Sequence, residues 1–243
     1  GWQYRTYKAN QTSDNSLELT LTSPDGDNGY PGTVEAKVVY TLTDDNAIDI
    51  KTSATTDKPT VVNMTNHAYF NLNADATIPI TNNILYVNAD EYTPVDSTFM
   101  TSGEIAPVAN TPFDFNTPTE IGARINEDNE QLHNGNGYDH NWVLKGGCDI
   151  QRLAASVESP ITGIKLEVYT DKPGLQVYVG NFLDGTVTGK KGIAYQQRTA
   201  ICLEPQVYPD SPNKKDLKGW YDPTITPDKP YSHHFIYKFS VAK

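Results

Sequence analysis

Two cysteines among 243 residues, Cys148 and Cys202, are too few for a disulfide framework, and no CxxC or Cys/His ligand spacing accompanies them. A structural zinc is therefore not expected. Basic residues are scarce as well: 19 Lys and Arg stand against 30 Asp and Glu, for a net charge of −11 and no basic cluster. That balance argues against a nucleic-acid partner and reads more simply as a contribution to solubility. No apolar run approaches the roughly 18 residues of a spanning helix, and no basic amphipathic segment occurs. The chain is expected neither to span nor to coat a membrane, and nothing in it has the pattern of a long amphipathic helix.

Fifteen Tyr, 16 Pro and 17 Gly, with many Thr, Asn and Asp, are present instead, a composition of short strands joined by turns. The length suits one large β-rich domain, and no repeat, linker or low-complexity tract divides it. Leu17 to Thr22 and Thr33 to Leu42 alternate, and Thr43-Asp44-Asp45-Asn46 turns the chain into an antiparallel return over Ala47 to Ser53. Further strands are predicted at Val61 to Leu72, Asn83 to Val87, Glu91 to Thr93, Leu153 to Val157, Ile164 to Thr170, Leu175 to Asn181 and His233 to Val241. Trp2 and Tyr4 read as one face of an opening strand, and Thr119 to Ile125 as one short helix capped by Thr119. The fold class is all-β, a sandwich of mostly antiparallel strands.

The stretch Ala200 to Asn213 carries the first candidate for chemistry. Ile201, Leu203 and Val207 alternate with Cys202, Glu204, Gln206 and Tyr208 before the run breaks into prolines and Asx residues. Glu204 thus stands on a strand beside an irregular loop, where it is either a candidate base or plain surface charge. Cys202 reads as a packed thiol. His67 lies in Asn66-His67-Ala68-Tyr69-Phe70, suited to proton transfer or, equally plainly, to a structural role with its nitrogens satisfied by Asn66 or Asn71. Asp139 follows the Gly/Asn loop Asn134 to Gly137 and could accept hydroxyl hydrogen bonds or merely cap a turn. Gln176 and Tyr178 share a strand face suited to a sugar. His233 and His234 are adjacent on a strand and point to opposite faces, so they do not make a metal pair.

Taken together, Asn66-His67-Ala68-Tyr69-Phe70-Asn71-Leu72, Gly137-Tyr138-Asp139-His140-Asn141, Gly180-Asn181-Phe182-Leu183-Asp184-Gly185 and Leu203-Glu204-Pro205-Gln206 resemble, in order and rough spacing, the aldose 1-epimerase (galactose mutarotase) family. Tyr92-Thr93-Pro94-Val95-Asp96 and Pro230-Tyr231-Ser232-His233 extend the likeness. The resemblance implies a galactose mutarotase-like β-sandwich, or supersandwich, over residues 1–243, with a monosaccharide such as galactose or glucose in a cleft on one sheet. It implies Glu204 as the base that takes the C1 hydroxyl proton and His67 as the acid that protonates the ring oxygen. Asp139, Gln176 and Asn66 would bind the sugar. Acid and base are expected on opposite sides of one ring, each contributing about a hundred- to ten-thousand-fold. No metal or organic cofactor is implied.

The resemblance also implies an N-terminal portion, with a sugar-binding Arg and a second active-site His, ahead of the segment that matches Gly1-Trp2-Gln3. Arg5, Arg124, Arg152 and Arg198 sit in no matching motif. The expectation is a chain shortened at its N-terminus, with that segment as a potential partner and with activity of the isolated chain impaired. Two other readings stand beside the epimerase. One is a sugar-binding module without turnover; the other is a glycoside hydrolase using two carboxylates such as Asp139 and Glu204. Scarce Lys and Arg favour an unphosphorylated sugar.

Overall fold

Alternating apolar and polar residues give most strands one buried and one wetter face. A computed structural model describes residues 1–242. Nine strands form the larger sheet, in the spatial order β1 (Lys8–Ser13), β2 (Ser16–Ser23), β3 (Val34–Leu42), β4 (Ala47–Thr56), β16 (Tyr231–Val241), β12 (Ile164–Thr170), β11 (Leu153–Glu158), β6 (Ile84–Val87) and β9 (Thr119–Glu120). A five-stranded sheet has the order β14 (Cys202–Gln206), β13 (Gly174–Tyr178), β10 (Asp139–Leu144), β7 (Ala89–Thr93) and β8 (Ala106–Pro107). β5 (Thr60–Val61) and β15 (Thr224–Ile225) make a two-stranded ribbon. The pairings within these sheets are antiparallel.

One apolar cluster joins the two large sheets. Leu85, Val157, Leu166, Val168 and Phe235 come from the nine-stranded sheet, and Trp142, Leu175, Val177 and Leu203 from the five-stranded one. Each such side chain, fully buried, stabilises the fold by about 1.5–3 kcal/mol. Trp142 also donates its indole N–H to the Phe113 carbonyl at 3.0 Å, so its one polar atom is satisfied inside the core. Asp171-Lys172-Pro173 carries the chain from β12 across to β13, and so from one sheet to the other.

The all-β sandwich expected from the sequence is what the chain forms; the α-helices among the described residues are two short ones, α1 (Glu130–Gly135) and α2 (Ser211–Lys214). No helix among the described residues is long and apolar enough to cross a membrane. Several local expectations are corrected. Trp2–Tyr4 is a 3-10 turn, closed by Arg5 N–H to the Trp2 carbonyl, and not a strand. Thr119–Glu120 is a short strand followed by a 3-10 turn at Ile121–Ala123, with no helix capped by Thr119. The helix of this region, α1, lies further on, its first N–H groups taken by Asn129 Oδ1. It takes in Asn134 and Gly135, the first half of the stretch expected to be a Gly/Asn loop.

Val61 to Leu72 is the most informative correction. Only Thr60–Val61 is strand, and residues 62–69 have no ladder of their own. The segment nevertheless runs antiparallel beside the free edge of β14. At one end Asn63 Nδ2 donates to the Val207 carbonyl at 2.8 Å and Val207 N–H donates to Asn63 Oδ1 at 3.1 Å. At the other end Phe70 and Ile201 exchange both backbone hydrogen bonds, at 2.8 and 2.9 Å. A side-chain amide thus replaces one backbone rung, and strand composition yields an extended segment without strand pairing.

Candidate active site

That docked segment positions the site. Counting three residues back from Phe70 and three forward from Ile201 brings His67 opposite Glu204, as antiparallel pairing requires. The two side chains meet, His67 Nε2 lying 3.4 Å from Glu204 Oε1. Glu204 is almost fully buried, while the His67 side chain is half exposed. In this structure the pair is in contact and does not stand a ring's width apart.

The five-stranded sheet supplies the rest through its register. Glu204 pairs with Gln176, Gln176 with Asn141, and Asn141 with Thr93, so four polar side chains form a row across β14, β13, β10 and β7. A second row on the same face holds Cys202, Tyr178 and Asp139. Gln176 Nε2 donates to Asp139 Oδ1 at 2.8 Å, which ties the rows diagonally and leaves Gln176 Oε1 buried and without a partner. Asp139 enters its strand after Gly137, whose φ of +123° and close approach to Asn181 suit only glycine. Asn181 holds this entry by donating to the Gly135 and Tyr138 carbonyls.

Burial sets the protonation of the two carboxyls. Loss of water pushes Glu204 up from 4.5 to about 8, and the neighbouring Asp139 charge adds to the rise. Asp139 is also raised by burial, with the Gln176 amide and His67 working against the rise. A buried carboxyl that titrates near neutrality and touches an imidazole can exchange protons with a ligand. Tyr69 packs 5.1 Å from the His67 ring and Tyr178 6.0 Å from it, forming an aromatic wall. Burial lifts the Tyr69 hydroxyl to about 12, so it stays protonated and neutral.

Glu204, His67, Asp139 and Gln176 are thus brought together. Asn66 lies beside them but spends its amide within the protein: Oδ1 accepts Ala68 N–H at 3.0 Å and Nδ2 donates to the Tyr40 hydroxyl at 3.1 Å. It shapes the turn that presents His67. The structural alternative for His67 is not met, because Asn66 is so engaged and Asn71 Nδ2 donates to the carbonyls of Asp75, Ile78 and Thr199. His140 faces the core, packed 4.7 Å from Phe113 and held neutral by burial at about 3. His233 is also buried, with its ring nitrogens on the Met64 carbonyl and the Thr170 hydroxyl, and points away from His234. No group of three metal-ligating side chains occurs among the described residues.

The four arginines are engaged elsewhere: Arg5 with Asp27, Arg124 with the Asp114 carbonyl, Arg152 with the Lys145 carbonyl and Arg198 with Asn126. His67, Asn66 and Tyr69 line one end of an open concavity of about 1550 Å³ whose floor includes Val38, Tyr40 and Ile50 of the large sheet. Sequence reasoning passed over Asn141, Thr93 and Tyr69. Asn141 stands two residues beyond Asp139, so strand alternation already placed it on the same face.

Comparisons with known proteins extend over nearly the whole chain. The aldose 1-epimerase family matches residues 1–238. Galactose mutarotase of Homo sapiens is 41% identical over 229 residues, and this chain covers 64% of its length. Aldose 1-epimerase of Escherichia coli K12 is 39% identical over 241 residues, with 68% of its length covered. The match takes in 94% of this chain for the human protein and 98% for the bacterial one. Among solved structures, an aldose epimerase homologue from C. elegans superposes with a TM-score of 0.86 at 28% identity, over 99% of this chain and 70% of its own. Galactose 1-epimerase from Lactobacillus acidophilus gives 0.81 at 31% identity, over 98% and 66%. With sequence match, fold and superposition all extending over nearly its whole length, this chain belongs to the aldose 1-epimerase family.

Proposed function

We propose that the protein interconverts the α and β anomers of free aldohexoses such as galactose and glucose, with Glu204 as base and His67 as acid. The observation that carries this reading is the 3.4 Å contact between His67 Nε2 and a Glu204 carboxyl raised to about 8. The names of the relatives, galactose mutarotase and aldose 1-epimerase, support it.

The chemistry needs one proton removed from the C1 hydroxyl and one added to the ring oxygen. Both oxygens are bonded to the same carbon, so two side chains in contact can serve them. Glu204, ionised, takes the hydroxyl proton; protonated His67 gives its own to the ring oxygen as the C1–O5 bond breaks. The open-chain aldehyde rotates about C1–C2, and the steps reverse: Glu204 returns a proton to the C1 oxygen while His67 takes one from the closing C5 hydroxyl. A base whose pKa lies near 8 removes a hydroxyl proton more readily than an ordinary carboxylate. Asp139 and Gln176 hold the remaining hydroxyls.

Polarimetry on freshly dissolved α-galactose tests the assignment. Glu204→Gln and His67→Ala should each slow the enzymatic change in rotation by at least about a hundredfold. Activity kept in both variants would remove the assignment. Sugar binding without turnover is the second reading, favoured by the openness of the concavity and by four arginines committed elsewhere. Sugar bound by wild-type protein with no hastened change in rotation would select it.

A further inference from the structure

The middle strand of the nine-stranded sheet, β16, turns a row of polar side chains away from water. Its buried residues alternate as Tyr231, His233, Phe235 and Tyr237, so all four share the inward face. Three of them end in polar groups, and each of those groups reaches the segment that bears His67. Tyr231 Oη accepts Met64 N–H at 3.0 Å and lies 3.2 Å from the Met64 carbonyl. His233, held neutral by burial, has Nδ1 at 3.0 Å from that carbonyl and Nε2 at 3.1 Å from the Thr170 hydroxyl. Thr170 Oγ1 accepts Lys172 N–H at 3.0 Å, which directs its own proton to His233 Nε2 and leaves Nδ1–H to donate to Met64.

Tyr237 reaches further. Its ring is fully buried, and its hydroxyl donates to the Leu203 carbonyl at 2.6 Å while standing 3.5 Å from the Asn66 carbonyl. Those two carbonyls belong to the residues immediately before Glu204 and His67. Burial, with the Glu204 charge second, holds the hydroxyl well above its ordinary pKa, so it stays a donor. The ring is fixed edge-on between Phe70 at 5.2 Å and Phe235 at 5.7 Å.

The pairing along β14 shows why a side chain is needed here. Backbone groups alternate between the two edges of a strand, so Ile201, Leu203 and Val207 present theirs to the docked segment. Ile201 spends its pair on Phe70, and Val207 spends its pair on the Asn63 amide. Two residues on from the Phe70–Ile201 bridge, Ala68 stands level with Leu203, but its N–H turns to Asn66 Oδ1 at 3.0 Å. The rung between Ala68 and Leu203 is missing, and the Tyr237 hydroxyl takes the carbonyl that it would have used. Between its two anchors the segment also carries one residue more than β14, which regular pairing does not accommodate. The His67–Glu204 contact lies inside that unpaired interval.

We propose that Tyr237 is a positioning residue: with one hydroxyl set against the Leu203 and Asn66 carbonyls, it fixes the separation of His67 and Glu204, while Tyr231 and His233 hold the segment at Met64. This rests on the reading of His67 and Glu204 as acid and base. Tyr237 is buried behind both strands, out of a sugar's reach, and acts only through them.

Tyr237→Phe removes the hydroxyl and keeps the ring. In polarimetry with galactose, kcat should fall about tenfold to a hundredfold with KM unchanged, because slight misplacement of reacting groups is costly and no sugar contact is lost. Tyr138→Phe is the matched control: it takes another buried tyrosine hydroxyl from a carbonyl, that of Pro112, and should leave kcat as it is. The NMR signal of the His67 ring reports on the contact without turnover. In wild-type protein it should shift as Glu204 ionises around pH 8, a step absent in Glu204→Gln. Tyr237→Phe should reduce that step by about half or more, and Tyr138→Phe should not. An unchanged step and kcat in Tyr237→Phe, with turnover abolished in Glu204→Gln, would overturn the positioning role and leave the acid–base reading standing. Equal losses in the two tyrosine variants would overturn it as well. A step lost in Tyr237→Phe, in a protein that does not hasten mutarotation, would keep Tyr237 as the residue that holds the pair and remove the epimerase reading. If Tyr237→Phe does not fold, the wild-type Tyr237 ring signals decide: rings that follow the ionisation of Glu204 support the proposal, and rings that ignore it overturn it.

Discussion

Replacing Glu204 by Gln should stabilise the protein while abolishing turnover, and the stabilisation should grow with pH. The carboxyl titrates at 4.5 in an ordinary setting and at about 8 in the fold. A folded-state pKa above the unfolded one means no penalty below pH 4.5. Stability is then lost as pH rises, until the group is ionised in both states above about 8. At 1.36 kcal/mol per pH unit, the ceiling is about 3 kcal/mol at pH 7 and about 5 kcal/mol above pH 8. The His67 contact at 3.4 Å returns part of this, although its half-exposed ring limits the return. A net gain of roughly 1–3 kcal/mol at pH 8.5 is expected for Glu204→Gln, falling to near zero at pH 5. Urea unfolding of both proteins at pH 5, 7 and 8.5 measures it directly. A difference that does not change with pH, or a wild-type protein that is the more stable at pH 8.5, would refute the argument that burial raises this carboxyl.

Because Glu204 must be ionised while the acid opposite it is still protonated, the polarimetric pH profile should be bell-shaped, with a rise as Glu204 ionises and a fall as the acid is lost. Asp139 helps hold Glu204 up, so Asp139→Asn should move that rise to lower pH while weakening sugar binding. Asn63→Ala removes both hydrogen bonds to Val207 and should cost about 1–2 kcal/mol. Amide exchange over residues 62–70 should quicken in that variant more than in the sheets. Trp142→Ala should cost about 3–5 kcal/mol in chemical denaturation, since it empties a fully buried site and orphans the Phe113 carbonyl.

Strands whose side chains alternate over a half-buried sheet were legible from the sequence, among them β2, β3, β12 and β13. Segments whose geometry depends on distant partners were not. Val61 and Val62 have strand composition, but their neighbours dock through the Asn63 amide, and nothing local announces a rung made by a side chain. α1 is six residues long, too short for a helical period to show, and its cap Asn129 reads equally well as a turn. Within the site, Glu204, Asp139, Gln176 and His67 were visible as residue types and motifs. Their meeting was not, because it depends on the register of β14 with β13 and with the Phe70 bridge, a long-range property. Asn141 was within reach of the alternation argument; its place in the polar row becomes visible only once Thr93 and Gln176 lie beside it.

An edge strand invites other chains to pair with it. On β14 that edge is occupied by the segment bearing His67, so the contact that blocks a neighbour's approach also sets the distance between His67 and Glu204. Any event that peels this segment away exposes a pairing edge and takes His67, the proposed proton donor, with it at once. On the proposed reading, adhesion along this edge and turnover exclude each other, which makes lost turnover an early report of the opening that precedes aggregation.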